Sequence, residues 1–178
     1  FIKGNVATDK LYSIPNARSN PSLGLIYDDT APTVKYGKNS VTASEYDPLN
    51  GATDVARDFS NITLTFSKRV KKKIAAGVEE IAADNLSDVI TLRKATTAEG
   101  AIFEEGEGAV VDYAATVELI ELWDEGTKVF YHEITLDPDG DVLDSKSDYY
   151  VAVNAEKIVD FNDASLVHAA SSATFSTV

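Results

Sequence analysis

Alternation of apolar and polar positions is the strongest signal along the chain. Asn61-Ile62-Thr63-Leu64-Thr65-Phe66 alternates over its whole length. That is the period of two of a half-buried strand, and it predicts Ile62, Leu64 and Phe66 on the core side. Residues 89–92 (VITL), 116–122 (TVELIEL) and 129–136 (VFYHEITL) repeat the pattern, as do 149–153 (YYVAV) and 173–178 (ATFSTV). Between them lie the turn dipeptides Asp47-Pro48, Asn50-Gly51, Glu125-Gly126 and Asp139-Gly140. Short strands separated by turns predict an all-β antiparallel sandwich or barrel. Residues 70–83 differ. Val70, Ile74, Val78 and Ile81 recur near helical spacing, with Gly77 against a helix. At most one or two short helices are expected, and no βαβ rhythm is present.

Residues 1–29 carry two prolines and only scattered apolar positions. They read as an N-terminal arm or linker, as the last strand of a preceding unit, or as a donor strand. Residues 30–178 hold the regular pattern and are expected to form the domain.

Composition narrows the class. The chain has 178 residues, 44% of them hydrophobic, which suits a globular domain with its own core. It contains no Cys, which removes disulfide scaffolds and thiolate chemistry. It has no Met and begins with Phe1, so it reads as processed or as a piece of a longer chain. The formal net charge of −13 disfavours nucleic acid and anionic membranes as partners. No apolar run reaches the ~20 residues of a membrane helix, so no membrane insertion is expected.

Three stretches carry a family resemblance: Asp29-Thr30-Ala31-Pro32-Thr33-Val34, Asp47-Pro48-Leu49-Asn50-Gly51-Ala52-Thr53-Asp54-Val55, and Asn61 through Val70. In this order they resemble the opening of the bacterial Ig-like domain of the SbsA type, found in S-layer proteins and large adhesins. The far end is similar too, through Tyr149-Tyr150-Val151-Ala152-Val153, Lys157-Ile158-Val159-Asp160-Phe161-Asn162-Asp163 and Phe175-Ser176-Thr177. Two departures stand out. Residues 35–46 and 71–128 are longer than such sandwiches usually need, and Ala164 replaces the glycine of the family's last turn. The resemblance implies an Ig-like antiparallel β-sandwich with enlarged loops, an extracellular or cell-surface setting, and no catalytic motif.

The sharpest candidate chemistry is the acidic stretch 137–148. Asp137, Asp139, Asp141, Asp144 and Asp148 sit on a loop bent by Pro138 and Gly140. Carboxylates at this spacing can converge on calcium, which takes six to eight oxygen ligands. The geometry is not that of an EF-hand, because Val142 stands where that loop needs glycine. The other reading is a solvated acidic loop. Asp28, Asp29 and the Asp160/Asn162/Asp163 group are further oxygen clusters, or else ordinary turn chemistry. Lys68, Arg69, Lys71, Lys72 and Lys73 form a basic run, read either as a patch for an acidic neighbour or cell-wall polymer, or as a solvated loop.

Signals for catalysis are few. His132 and His168 are the two histidines, and His132 falls within a strand. No Gly-x-Ser-x-Gly elbow, His-Glu-x-x-His or P-loop occurs. Glu104, Glu105 and Glu107 lie in a polar loop rather than as a positioned acid pair. Trp123 sits near an expected hairpin tip, where it could stack on a carbohydrate. The tyrosines (12, 27, 36, 46, 113, 131, 149 and 150) could join it or fill the core.

Together these features predict a non-catalytic structural unit of an extracellular surface assembly, such as an S-layer, adhesin stalk or filament. Its partners would be copies of itself or neighbouring Ig-like units, and possible additions are calcium and strand exchange through the arm. The alternative is an extracellular module that binds a glycan or protein through its loops.

Overall fold

The computed structural model describes residues 29–36, 48–57, 61–95, 108–124, 127–138 and 143–178. The N-terminal arm, Glu104, Glu105, Glu107, Asp139 and Asp141 lie outside the described residues. Ala31–Val178 form one compact unit.

Twelve strands make up the described part of this unit. They are β1 (Val34–Tyr36), β2 (Ala52–Val55), β3 (Ile62–Phe66), β4 (Val70–Ile74), β5 (Gly77–Glu80), β6 (Ile90–Lys94), β7 (Ala109–Val110), β8 (Tyr113–Asp124), β9 (Thr127–Pro138), β10 (Asp148–Val153), β11 (Ile158–Asp160) and β12 (Ser171–Thr177). A single 3₁₀ turn, Ala83–Asn85, is the helical element among the described residues. One sheet has the order β1-β3-β9-β8, a second β2-β12-β10-β6-β7, and a small third β11-β4-β5.

The predicted alternation builds the core. Ile62, Leu64, Phe66, Ile134 and Leu136 of the first sheet join Ile90, Leu92, Tyr149, Val151, Val153 and Phe175 of the second in one cluster. Val70 and Ile158 add the third sheet, and Ile81, Leu86, Val89 and Leu143 plug its margins. Burying each large side chain stabilises the fold by about 1.5–3 kcal/mol. The chain is an all-β, Ig-like β-sandwich.

Three features depart from the expectations. First, β3 is buried on both faces: Thr63 and Thr65 are as enclosed as their apolar neighbours. Second, residues 70–83 form a β-hairpin, not a helix. Val70 and Lys72 point inward together, so the true period is two. A spacing of four residues suits one face of a strand as well as a helix, and the lysine at position 72 masks the alternation. Gly77, at φ +137°, opens β5 in a backbone region that side chains rarely adopt. Third, one pair is parallel: β2 lies beside β12, with Ala52 opposite Phe175. The turn before β2 closes through the Ala52 N–H on the Leu49 carbonyl (2.9 Å), with Gly51 at φ +85°.

The chain passes through the domain from end to end. Its incoming segment is fastened beside the start of β12, where the Pro32 carbonyl meets His168 Nδ1 at 2.9 Å and Ser171 Oγ meets His168 Nε2 at 3.0 Å. Val178 is held past the other end of β12 by Val55 and Lys146. The seven residues of β12 separate these points by about 23 Å.

Candidate functional surfaces

Among the described residues of the acidic stretch, Asp144 and Asp148 have separate partners. Asp144 pairs with Lys94 across the strand boundary, and this contact holds its carboxyl below the usual range while raising the lysine. Asp148 accepts a hydrogen bond from Ser176 Oγ at 2.6 Å. Asp137 Oδ1 is buried without a hydrogen bond. Among the described residues no three acidic or histidine side chains form a group able to hold a metal ion.

The Asp160 cluster is turn chemistry. Asp160 Oδ1 accepts from the N–H groups of Asn162 (2.7 Å) and Asp163 (3.0 Å), and Oδ2 pairs with Lys68 at 3.2 Å. Asp163 Oδ1 accepts from the Ser165 N–H and hydroxyl at 2.9 and 2.7 Å. Asp29, the other described member of these groups, is exposed.

The basic run, read as a patch or a solvated loop, passes from the bend at Lys68 through Arg69 into the strand β4, and its charges are mostly paired within the domain. Arg69 lies 3.5 Å from the centre of the Phe161 ring and 3.7 Å from Glu80. Lys71 stands over the same ring at 4.2 Å. Lys72 is buried along its stem and reaches Asp88 at 2.7 Å and the Asn85 carbonyl at 2.8 Å. Lys157 meets the other oxygen of Asp88 at 2.7 Å. The hydrogen bonds from Lys157 and Lys72 hold the Asp88 carboxyl at about 2. Nothing in the sequence pattern announced this Lys72–Asp88–Lys157 arrangement, because its members lie far apart along the chain.

Both histidines are buried and serve as braces. The Val70 N–H donates to His132 Nδ1 at 3.2 Å, which leaves that nitrogen unprotonated and ties β9 to β4. Burial, and then nearby Arg69, push the ring's pKa down. His168 donates from Nδ1 to the Pro32 carbonyl, so its Nε2 accepts from Ser171 in the neutral ring. A Ser–His pair is thus present, but a carbonyl stands where a triad would have a carboxylate, and the ring is enclosed.

Among the described residues the β8–β9 hairpin is the most open apolar surface. β3 pairs with β9 only from Glu133 to Leu136, so the distal half of the hairpin continues as a two-stranded ribbon. Leu119, Trp123 and Phe130 are exposed on the face that continues from the core, and Leu122 and Val129 on the other. Trp123 is 69% exposed, with Lys128 Nζ 5.7 Å from its ring and Lys128 paired to Glu121 at 2.8 Å.

Compared with known proteins, residues 28–177 match the family model described as Bacterial Ig-like domain. No curated protein and no solved structure matches.

Proposed function

The chain belongs to the bacterial Ig-like domain family, and we propose that it works as a non-catalytic structural unit of an extracellular surface assembly of the SbsA type: an S-layer, an adhesin stalk or a filament. The observation that carries this reading is the path of the backbone, which is fastened at one end of β12 by His168 and at the other by the bonds of Val178 to Val55 and Lys146. A sandwich with that path transmits load along its strands and spaces whatever is attached at its two ends. Neighbouring Ig-like units or copies of the chain are the partners it suits.

Strand addition by residues 1–20 and calcium at the acidic stretch belong to the same proposal. The buried, unbonded Asp137 Oδ1 supports calcium, whereas Asp144 would have to release Lys94 to join it. Concentration-dependent assembly that weakens with chelator supports the structural role. Assembly unchanged after deletion of residues 1–20 removes strand addition. Equal melting midpoints with calcium and with chelator remove the metal, since a ligand bound only to the folded state must raise the midpoint.

A second reading is favoured by Trp123. An exposed indole beside the Glu121–Lys128 pair offers a stacking face with flanking polar groups, as a glycan or protein ligand would need. Saturable binding by a stable monomer, lost in Trp123→Ala, supports that role.

A further inference from the structure

Most strand edges in this domain are blunted. β1 has three residues, β7 two and β11 three. β2 is four residues long with Asp54 at φ +58° and an irregular register. β5 presents Glu79 and Glu80. Short, irregular or charged edges resist pairing with other chains.

The outer edge of β8 is neither short nor irregular, and its charges are limited to Glu118, Glu121 and Asp124 in twelve residues. β8 runs for twelve residues in unbroken register with β9, from Tyr113 opposite Pro138 to Asp124 opposite Thr127. It contains no proline, lysine or arginine. Leu119, Leu122 and Trp123 are 43%, 41% and 69% exposed along it. Among the described residues no strand lies beyond it and no backbone hydrogen bond reaches it from outside its own sheet.

We infer that this edge is the seam of a two-fold dimer, in which β8 pairs antiparallel with β8 of a second copy, centred on Leu119. The placement of the carboxylates is compatible with a second copy and selects the register of the pairing. With Leu119 opposite Leu119 of the second copy, Glu118 faces Ile120, Glu121 faces Val117, Leu122 faces Thr116 and Trp123 faces Ala115. No carboxylate stands opposite another, a placement that would destabilise the pair. Centring on Glu118 or Glu121 would set two carboxylates face to face. Centring on Ile120 shortens the overlap to residues 116–124, whereas Leu119 pairs residues 114–124. Each residue also meets one of the same face, so both cores stay on one side of the joined sheet. The result is a continuous eight-stranded sheet from two four-stranded ones. A two-fold contact closes on itself, so it gives dimers and not filaments. The inference does not rest on the surface role proposed above. The net charge of −13 on each copy opposes association, so the dimer strengthens as salt rises.

The test uses the full chain in sedimentation equilibrium across the micromolar range. The expected result is a monomer–dimer equilibrium, tightened by salt and weakened at least about tenfold in Leu119→Lys with unchanged melting. The chain has no cysteine, so Leu119→Cys reads the register directly. Under mild oxidant it should form a covalent dimer, while Val110→Cys, on another edge and 62% exposed, should not. A wild-type chain that stays monomeric overturns the inference. So does Leu119→Lys that dimerises as wild type, or Val110→Cys that cross-links as fast as Leu119→Cys. Loss of the dimer on deleting residues 1–20, with melting unchanged, overturns it in favour of an arm donated to the edge.

Discussion

Two hairpins of this domain handle the same problem in opposite ways. The β4–β5 hairpin is short and rich in charge, and its cations are spent on Asp160, Glu80, Asp88 and the Phe161 ring. Each strand of the β8–β9 hairpin has twelve residues against four in β5; the hairpin is regular and exposes apolar side chains on both faces beyond the point where β3 stops pairing. The first is anchored at its base by Lys72 and His132 and offers neighbours little. The second is held by the core at one end and leaves Trp123 and Leu122 to solvent at the other. A side chain's weight thus depends on whether neighbouring strands enclose it.

The largest effect separates the two halves of β9. Ile134 is fully enclosed, so Ile134→Ala should destabilise the fold by about 3 kcal/mol, measured by urea unfolding. A loss under about 1 kcal/mol would mean that this half is not packed as described. Next comes the anchor of the charged hairpin. Lys72→Ala removes the contacts to Asp88 and Asn85 and should cost about 1–2 kcal/mol, limited because Asp88 is half exposed. Lys72→Met keeps the buried stem and should recover part of that loss; no recovery would assign the whole effect to charge.

Acid should act on the same hairpin. The folded His132 ring holds its proton less readily than the unfolded ring, whose value is 6.5. As pH falls below about 6.5 the unfolded chain takes up the proton first, so stability declines. Thermal melts of His132→Gln should lose this slope as pH falls below about 6.5. Asp88 behaves as a depressed carboxylate: its contribution is present above 3.8 and disappears as pH drops towards about 2. The smallest effect belongs to the ribbon tip. Trp123→Ala should change stability by less than about 0.5 kcal/mol, despite the size of the side chain, because most of it is exposed.

Much of this architecture was legible where alternation is clean. Residues 61–66, 89–92, 116–122, 129–136, 149–153 and 173–178 all lie within or across observed strands, because one face of each meets the core. Residues 70–83 misled because Lys72 occupies an inward position with its stem buried, so an apolar slot was written with a charged residue. The parallel β2–β12 pair joins segments at opposite ends of the domain, and no local turn can announce such a contact. The candidate sites were less legible for the same reason. The partner of Asp144 is Lys94, fifty residues away, and the partner of His132 is a backbone N–H on another strand. Spacing along the chain reported the carboxylates but not what they face.

Pro32 and Val178 are fastened at opposite ends of β12. Spin labels on Thr33→Cys and Val178→Cys in this cysteine-free chain, read by pulsed dipolar resonance, test this arrangement most directly. A single narrow distribution at roughly 20–30 Å is the predicted result. A broad distribution, or a separation below about 15 Å, would contradict it, because the two attachment points would then be loose or share one end of the domain.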